Sequence, residues 1–568
     1  MSINNEDGCL IDPPLRVETA EAVTWSDSAD LVVVGFGGAG TACAIQGVEL
    51  GADVIAVDRF GGGGATAYSG GVTYAGNTRH QRAAGCTDSA ENMFNYLSGE
   101  KCAVSRDTLM QFCQQSSSDL EWLEQQGVPF DGALFEGKTT YPPEGYYLYY
   151  TGNEKTPFHK KNSDPAPRGH RAVGAGFTGY VHYGALRDSA LSKGVRLQPH
   201  APTTRLVVDS QERVVGIEVM HIPADRQAEH QQFYQRLSPM KPFSGRKYQK
   251  LVEQCHAFEA KFSERRLIRA RKGVVLATGG FIYNLPMLAR QRPELARVHS
   301  NVMRLGSAGC DGSGIQLGQS VGGEVALMDS IYIGRSIAPP EAFLKGIMVG
   351  QDGRRLINED TYNGFLGEAI GREGKAWLIL DSKGFWRAVR QCLFPGKGMY
   401  LYTLPSLLNI LFGGTRRARW LEKLAQTLSI NAHGLSETVA AYNAGCQRGQ
   451  DELGKTSANL AAVDKPPYYA INMNLDNKYA LTLMFSLGGL RVDEQTGHVL
   501  DRQEKPIHGL FASGRAAVGL CSKSYLSGMS IADTVFSGRR AAKAALSNDD
   551  PTQPSTFVKA DMLGAQHG

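Results

Sequence analysis

The sequence predicts an α/β protein: a Rossmann-like, nucleotide-binding sheet assembled from distant parts of the chain, with an α+β cap inserted into it. Three observations carry that prediction. The apolar run Leu31-Val32-Val33-Val34 ends in Gly35-Phe36-Gly37-Gly38-Ala39-Gly40. A second run, Val274-Val275-Leu276-Ala277, ends in Thr278-Gly279-Gly280. A third, Leu510-Phe511-Ala512, ends in Ser513-Gly514-Arg515. Continuous apolar runs bounded by glycine read as short strands buried on both faces, as in parallel sheets.

The elements follow in order. Residues 1–28 are polar, contain Pro13-Pro14, and read as an extension with little order. The sheet domain begins at 29. Its first strand is followed by a helix over 40–50 with Ala42, Ala44 and Gly47 on one face, and then by a buried strand, Val54 to Val57. Residues 86–126 carry apolar side chains at helical spacing, and 131–180 are rich in Gly, Pro and Tyr and read as loops. Alternating β-branched residues between His200 and Val219 predict strands. Residues 221–271 lack an apolar period and read as a polar surface insertion with some helix. The first part of the sheet domain then runs to 300, the cap takes 301–471, the sheet domain returns over 472–548, and 549–568 is a tail.

Composition narrows the class. The chain has 568 residues, 42% hydrophobic and 20% charged, which suits a large folded core and excludes disordered, collagen-like and coiled-coil proteins. Sixty basic residues against 56 acidic ones leave a net charge of +4 with no basic stripe, so no nucleic-acid partner is expected. The ten cysteines form no CxxC, and the 13 histidines show no paired spacing. We therefore expect reduced thiols, no metal and a cytoplasmic location. The start of the chain does not read as a signal peptide, and no apolar run reaches 18 residues.

Glycine is the excess residue, 66 of 568, against about 7% in typical proteins. It concentrates where a ligand's phosphates would approach backbone. Gly35, Gly37 and Gly40 form a GxGxxG turn between a strand and a helix, and Asp58 closes the next strand 18 residues beyond Gly40. In that context, Gly37, Gly38, Ala39 and the helix N-terminus would hold a pyrophosphate, and Asp58 would accept from a ribose hydroxyl. A tight structural turn is the plainer alternative.

Six glycines fall between Gly61 and Gly71. This segment resembles the second glycine-rich loop of FAD enzymes, which a nicotinamide enzyme does not need. It places Arg59, Gly63, Gly64, Ala65, Thr66, Ser69, Gly70 and Gly71 among the expected cofactor contacts. Thr204, Ala277, Thr278, Gly279, Gly514 and Arg515 join them. So do Ser530 and Ile531, which open the last helix and would bring its positive end to the flavin. No histidine precedes Thr66, only Gly63-Gly64-Ala65, so noncovalent FAD is expected.

Taken together, these pieces resemble the flavoprotein family of soluble fumarate reductases and 3-ketosteroid dehydrogenases, from about residue 28 to 545. Ser524-Tyr525-Leu526-Ser527-Gly528-Met529-Ser530 lacks the Arg/His clamp of fumarate reductases and the prolines of ketosteroid Δ1-dehydrogenases. Its Tyr-x-Ser-Gly pattern is similar to the Δ4-(5α) branch, as are Tyr149 to Glu154, Pro167 to His170 and Ser486 to Gly489. Gly514-Arg515 stands where fumarate reductases have Gly-Glu.

The resemblance implies a catalytic cap over FAD and a Δ4 dehydrogenation of 3-keto-5α-steroids. Tyr525 would polarise the C3 carbonyl. Ser527 would take the C4 proton, linked to a second tyrosine from the cap, for which Tyr332 is the expected residue. A 3-ketosteroid is the implied substrate, and a quinone or carrier protein the electron acceptor. An enone or fumarate-type reductase, a Δ1-dehydrogenase and a flavoprotein that only relays electrons are the alternatives. Arg354 to Asp360 reads as structural, and Arg335 and Arg372 as surface salt bridges in preference to a carboxylate clamp. The apolar stretch 399–412 with its basic sequel to 421 suits either peripheral contact with a membrane or a buried cap helix followed by a solvated turn.

Overall fold

A computed structural model describes residues 8–100, 102–237 and 245–547; the expected tail at 549–568 lies outside the described residues. Among these, the largest sheet has nine strands. Asp27–Val34 lies between Val54–Val57 and Glu264–Leu276, parallel to both. Its side chains alternate between two cores. Val32 and Val34 pack with Ile55, Val57, Val274 and Leu276 on one face. Leu31 and Val33 pack with Val54, Ala56 and Val275 on the other, under the helices Gly38–Glu49 and Met529–Leu546. A two-residue repeat of faces with both faces covered explains why these strands read as unbroken apolar runs.

Glu264–Leu276 divides the sheet. Its first half pairs antiparallel with Val214–His221, and its second half pairs parallel with Pro506–Ala512. A register irregularity falls between Ala270 and Gly273. Residues 264–271, which the sequence assigned to the polar insertion, are therefore sheet. Their charges mislead because one face of this half is solvated: Arg265, Arg266, Arg269 and Arg271 reach Glu218, Glu264, Glu21 and Asp30. The insertion itself is two helices, Ala224–Arg236 and Gly245–Phe262.

The N-terminal extension also differs from expectation. Leu15–Arg16 adds to the sheet edge, parallel to Val207 and Val208. The Gly8 carbonyl accepts from Asn284 Nδ2 at 2.8 Å and Gln316 Nε2 at 2.7 Å. Order here comes from main-chain pairing, which a polar composition does not advertise.

The cap has separate cores around Ile337, Phe343, Leu366, Leu378 and Ile471, and around Ile347, Ile379, Leu424 and Leu435. It is joined to the sheet domain by Ile331–Arg335, paired antiparallel with Thr482–Ser486 so that Tyr332 faces Phe485 across the ladder. Cys310, Ile315 and Leu317, by contrast, pack in the core of the large sheet. Among the described residues no helix is long and apolar enough to cross a membrane.

Candidate active site

One continuous cavity of about 1390 Å³ runs from the N-terminal segment and Asp58, beneath the glycine loops, to Tyr525 and Ser527. Its walls come from all three apolar strand ends, because parallel strands present their C-terminal ends and following turns on one edge of the sheet.

Gly35, Gly37, Gly38 and Ala39 line the cavity. Gly40 does not, and its role is steric: a Cβ there would fall 1.8 Å from the Gly35 carbonyl oxygen, so only glycine lets the helix start against the turn. Thr66 Oγ1 accepts the Gly38 N–H at 3.1 Å, which binds the second glycine loop to the first. Gly64, Ala65, Thr66, Ser69 and Gly70 line the cavity, whereas Gly63 and Gly71 shape the loop from behind, at φ +97° and +64°.

Asp58 accepts the Phe36 and Phe60 N–H groups, both at 2.8 Å. Burial pushes its carboxyl up, and the backbone donors oppose that shift. Arg59 lines the cavity as expected, but its side chain has a second task. Its guanidinium is committed to Glu259, at 2.8 and 2.9 Å, and to Asp311, at 2.8 Å. It therefore locks the helical insertion to the sheet domain. Burial works against ionised Glu259, but Arg59 and His230 beside it hold its carboxyl well below the usual range. One ligand atom from each of His230, Cys255 and Glu259 lies within 4.8 Å of the other two. Both Glu259 oxygens already serve Arg59, so a cation would have to displace that pair.

Thr204, Ala277, Thr278 and Gly279 line the same chamber. The hydroxyls of Thr203, Thr278 and Tyr283 are buried there without a partner among the described residues. Unsatisfied buried hydroxyls around a long cavity between two glycine loops fit a large polar dinucleotide such as FAD. Arg515 also lines it, over the Phe485 ring at 5.0 Å. Gly514 does not line it: at φ +58°, it is pressed against Ala39. Gly528, at φ +92°, caps Met529–Leu546, and Ser530 and Ile531 bring that helix's first turn and its free N–H groups to the chamber.

At the far end, Tyr525 sits in an aromatic cage. Its ring is 4.9 Å from Tyr332, 4.8 Å from Phe485 and 6.2 Å from Tyr362. Its hydroxyl has no hydrogen-bond partner among the described residues. Burial pushes the Tyr525 phenol well up, so it stays a protonated donor. Tyr332 lines the cavity but donates to Asn363 Oδ1 at 2.8 Å and lies 3.3 Å from the Tyr362 hydroxyl.

The expected Tyr332–Ser527 link is corrected. The phenol beside Ser527 Oγ is Tyr149, at 3.3 Å, and Tyr332 braces the Tyr525 ring instead. Tyr149 comes from Leu148–Tyr149, a short strand paired with Gly169–Arg171. The signal was present, since Tyr149 opens a segment singled out by resemblance, but nothing local says which tyrosine reaches a serine 378 residues away. Tyr362 and Tyr402, which also line the chamber, were missed for the same reason. Arg335 is likewise not a surface salt bridge: it is fully buried and donates to the Ala480 and Asn474 carbonyls. Arg372 is an exposed partner of Glu368.

Fold and site thus define an FAD-dependent oxidoreductase. The family described as an FAD binding domain matches residues 30–531, and the chain belongs to it. The chain is 36% identical to a 3-oxo-5-alpha-steroid 4-dehydrogenase of Comamonas testosteroni, over 88% of this chain and 95% of the relative. It is 26% identical to a probable fumarate reductase of Shewanella frigidimarina, over 94% and 78%. Among solved structures it is similar to a 3-ketosteroid-Δ4-(5α)-dehydrogenase of Rhodococcus jostii in complex with 4-androstene-3,17-dione. That match has a TM-score of 0.76 and 29% identity, covering 94% of this chain and 99% of that one.

Proposed function

We propose that the protein is a 3-ketosteroid dehydrogenase that introduces the C4–C5 double bond of 3-keto-5α-steroids. One observation carries the reading. Tyr525 and Ser527 stand two residues apart at the cavity end, one a caged phenol donor and the other a hydroxyl paired with Tyr149.

The chemistry suits these groups. Removing a proton from C4 requires the C3 carbonyl oxygen to gain charge. A protonated phenol held rigidly beside that oxygen stabilises the developing enolate by about 3 kcal/mol. Ser527 Oγ would then receive the C4 proton. A neutral hydroxyl accepts one proton only as it releases another, so Ser527 works as half of a pair whose other half is Tyr149. Noncovalently bound FAD supplies the hydride acceptor for the hydrogen leaving C5. The buried aromatic cage excludes water from the reacting face. A quinone or a carrier protein would reoxidise the enzyme.

The test is anaerobic mixing of the yellow holoenzyme with 5α-androstane-3,17-dione, followed at about 450 nm, where oxidised flavin absorbs. Bleaching with release of the 4-ene-3-one is expected. An enzyme that stays oxidised, yet is reoxidised by an enone or fumarate after chemical reduction, is a reductase, and the proposal fails.

A further inference from the structure

We propose that the outer face of the adjacent cap helices Ser382–Leu393 and Tyr400–Phe412 is a docking surface for an anionic phospholipid bilayer. On the second helix, Tyr400, Leu404, Leu408, Leu411 and Phe412 fall on one stripe and are 36% to 62% exposed. On and just after the first helix, Trp386, Leu393 and Phe394 are exposed as well, Phe394 by 78%. The two helices pack against each other, and large exposed apolar side chains gathered on neighbouring helices are of the kind that marks an interaction site.

The exposure is not fraying. The inner side of Tyr400–Phe412 is anchored: Asn409 donates to the Asn472 carbonyl at 3.0 Å and accepts from Asn477 Nδ2 at 2.7 Å. Tyr402 and Pro405, from the same helix, wall the catalytic chamber, with Tyr402 stacked 5.7 Å from Tyr141. One helix therefore presents one side to the chamber and a bare apolar stripe to the outside.

Charge identifies the occupant. Between Ser382 and Trp420 the chain has seven Lys and Arg residues and no Asp or Glu, although the whole protein carries only +4. Two acids from other elements pair with this strip, Glu341 at 4.0 Å from Arg387 and Glu144 at 3.8 Å from Lys397, and Asp381, Glu422 and Asp464 stand at its borders; five acids against seven cations leave a cationic excess. A second copy of this chain would set the same cations against each other, because a two-fold contact repeats one patch on both sides. An anionic lipid surface instead offers headgroups to the cations and acyl chains to Leu411, Phe412 and Trp386. The helix of 13 residues is too short to span a bilayer and suits lying in the interface plane.

The experiment is co-sedimentation of the holoenzyme with phosphatidylcholine vesicles containing about 30% phosphatidylglycerol, and with pure phosphatidylcholine vesicles. We expect binding to the anionic vesicles at low salt. It should weaken at least about tenfold in the variants Leu411→Ser/Phe412→Ser and Arg416→Gln/Arg417→Gln/Arg419→Gln, and in high salt. None of these side chains touches the chamber, so flavin absorbance and turnover stay as in the parent and report folding. Unaltered binding by the variants, or failure of the parent to bind anionic vesicles, overturns the proposal. So does a lipid-free dimer that Leu411→Ser/Phe412→Ser converts to monomer. The readout is sedimentation alone, so it stands or falls independently of the substrate.

Discussion

The Tyr149 hydroxyl lies 3.3 Å from Ser527 Oγ, although 378 residues of chain separate them. Burial pushes the Tyr149 phenol up, so at neutral pH the pair holds its protons and must give one up to accept another. Tyr149→Phe should lower kcat by about 100-fold, within the range for loss of a positioned acid–base group, with little change in KM. Because the phenol is pushed above its ordinary value of about 10, the parent rate should rise with pH and still be rising at about pH 10, and the variant should flatten that climb. Parent-like pH profiles in the variant would remove Tyr149 from the proton path.

Tyr525→Phe keeps the ring in its cage and deletes only the donor. Loss of one oxyanion donor predicts a fall in kcat of about 100- to 1000-fold, read as the rate of flavin bleaching after anaerobic mixing. Thermal stability should hold, because the hydroxyl has no hydrogen-bond partner among the described residues to lose. A protein that only relays electrons would keep its rate.

Arg59 and Glu259 form a largely buried pair that ties the helical insertion to the cofactor end of the cavity. Glu259→Gln removes one of the two carboxylates that neutralise the guanidinium and leaves that charge to Asp311. Breaking such a pair on one side costs about 3 to 5 kcal/mol. The expected results are a lower melting temperature and faster loss of FAD on dilution, measured by the rise in released flavin fluorescence.

Gly40→Ala should yield a colourless protein. The added methyl would meet the Gly35 carbonyl oxygen, so the helix would have to retreat from the turn that receives the pyrophosphate. The flavin-to-protein absorbance ratio after purification reports this directly.

Acid should destabilise the fold well above the carboxylate range. His170 and His182 are fully buried, and burial depresses their imidazoles to about 3 and about 4. His170 lies 2.8 Å from Thr78 Oγ1 and 3.0 Å from the Arg168 carbonyl. Unfolded histidine titrates near 6.5, so below that value the unfolded chain binds more protons than the folded one. The contribution is present above about pH 6.5 and is lost as pH falls toward the folded values, at about 1.4 kcal/mol per proton per pH unit. Melting temperatures at decreasing pH should drop through this window, and less steeply in His182→Gln if that variant folds.

The apolar strand ends, the two glycine loops and Asp58 were legible because each is a local device. A strand followed by a glycine turn and a helix needs only neighbours in sequence to be recognised. Tyr525 and Ser527 were legible for the same reason, since they share one turn before Met529–Leu546. The polar half of Glu264–Leu276 was not, because arginines whose acid partners are brought to them mostly from distant parts of the chain look like surface when read alone.

What the sequence by itself determined was the cofactor class and the assembly of one sheet from distant pieces of the chain, and it picked out Tyr525 and Ser527 as the candidate polar groups. Only tertiary structure decided that Tyr149, not Tyr332, stands beside Ser527, and that Arg59 serves Glu259. It also decided that the N-terminal segment walls the cavity and that one cap helix faces both the chamber and the outside. The physical reason is reach: a hydrogen bond selects its partner by a few ångströms of space, and spacing along the chain carries no information about space once the fold has brought distant strands and loops together.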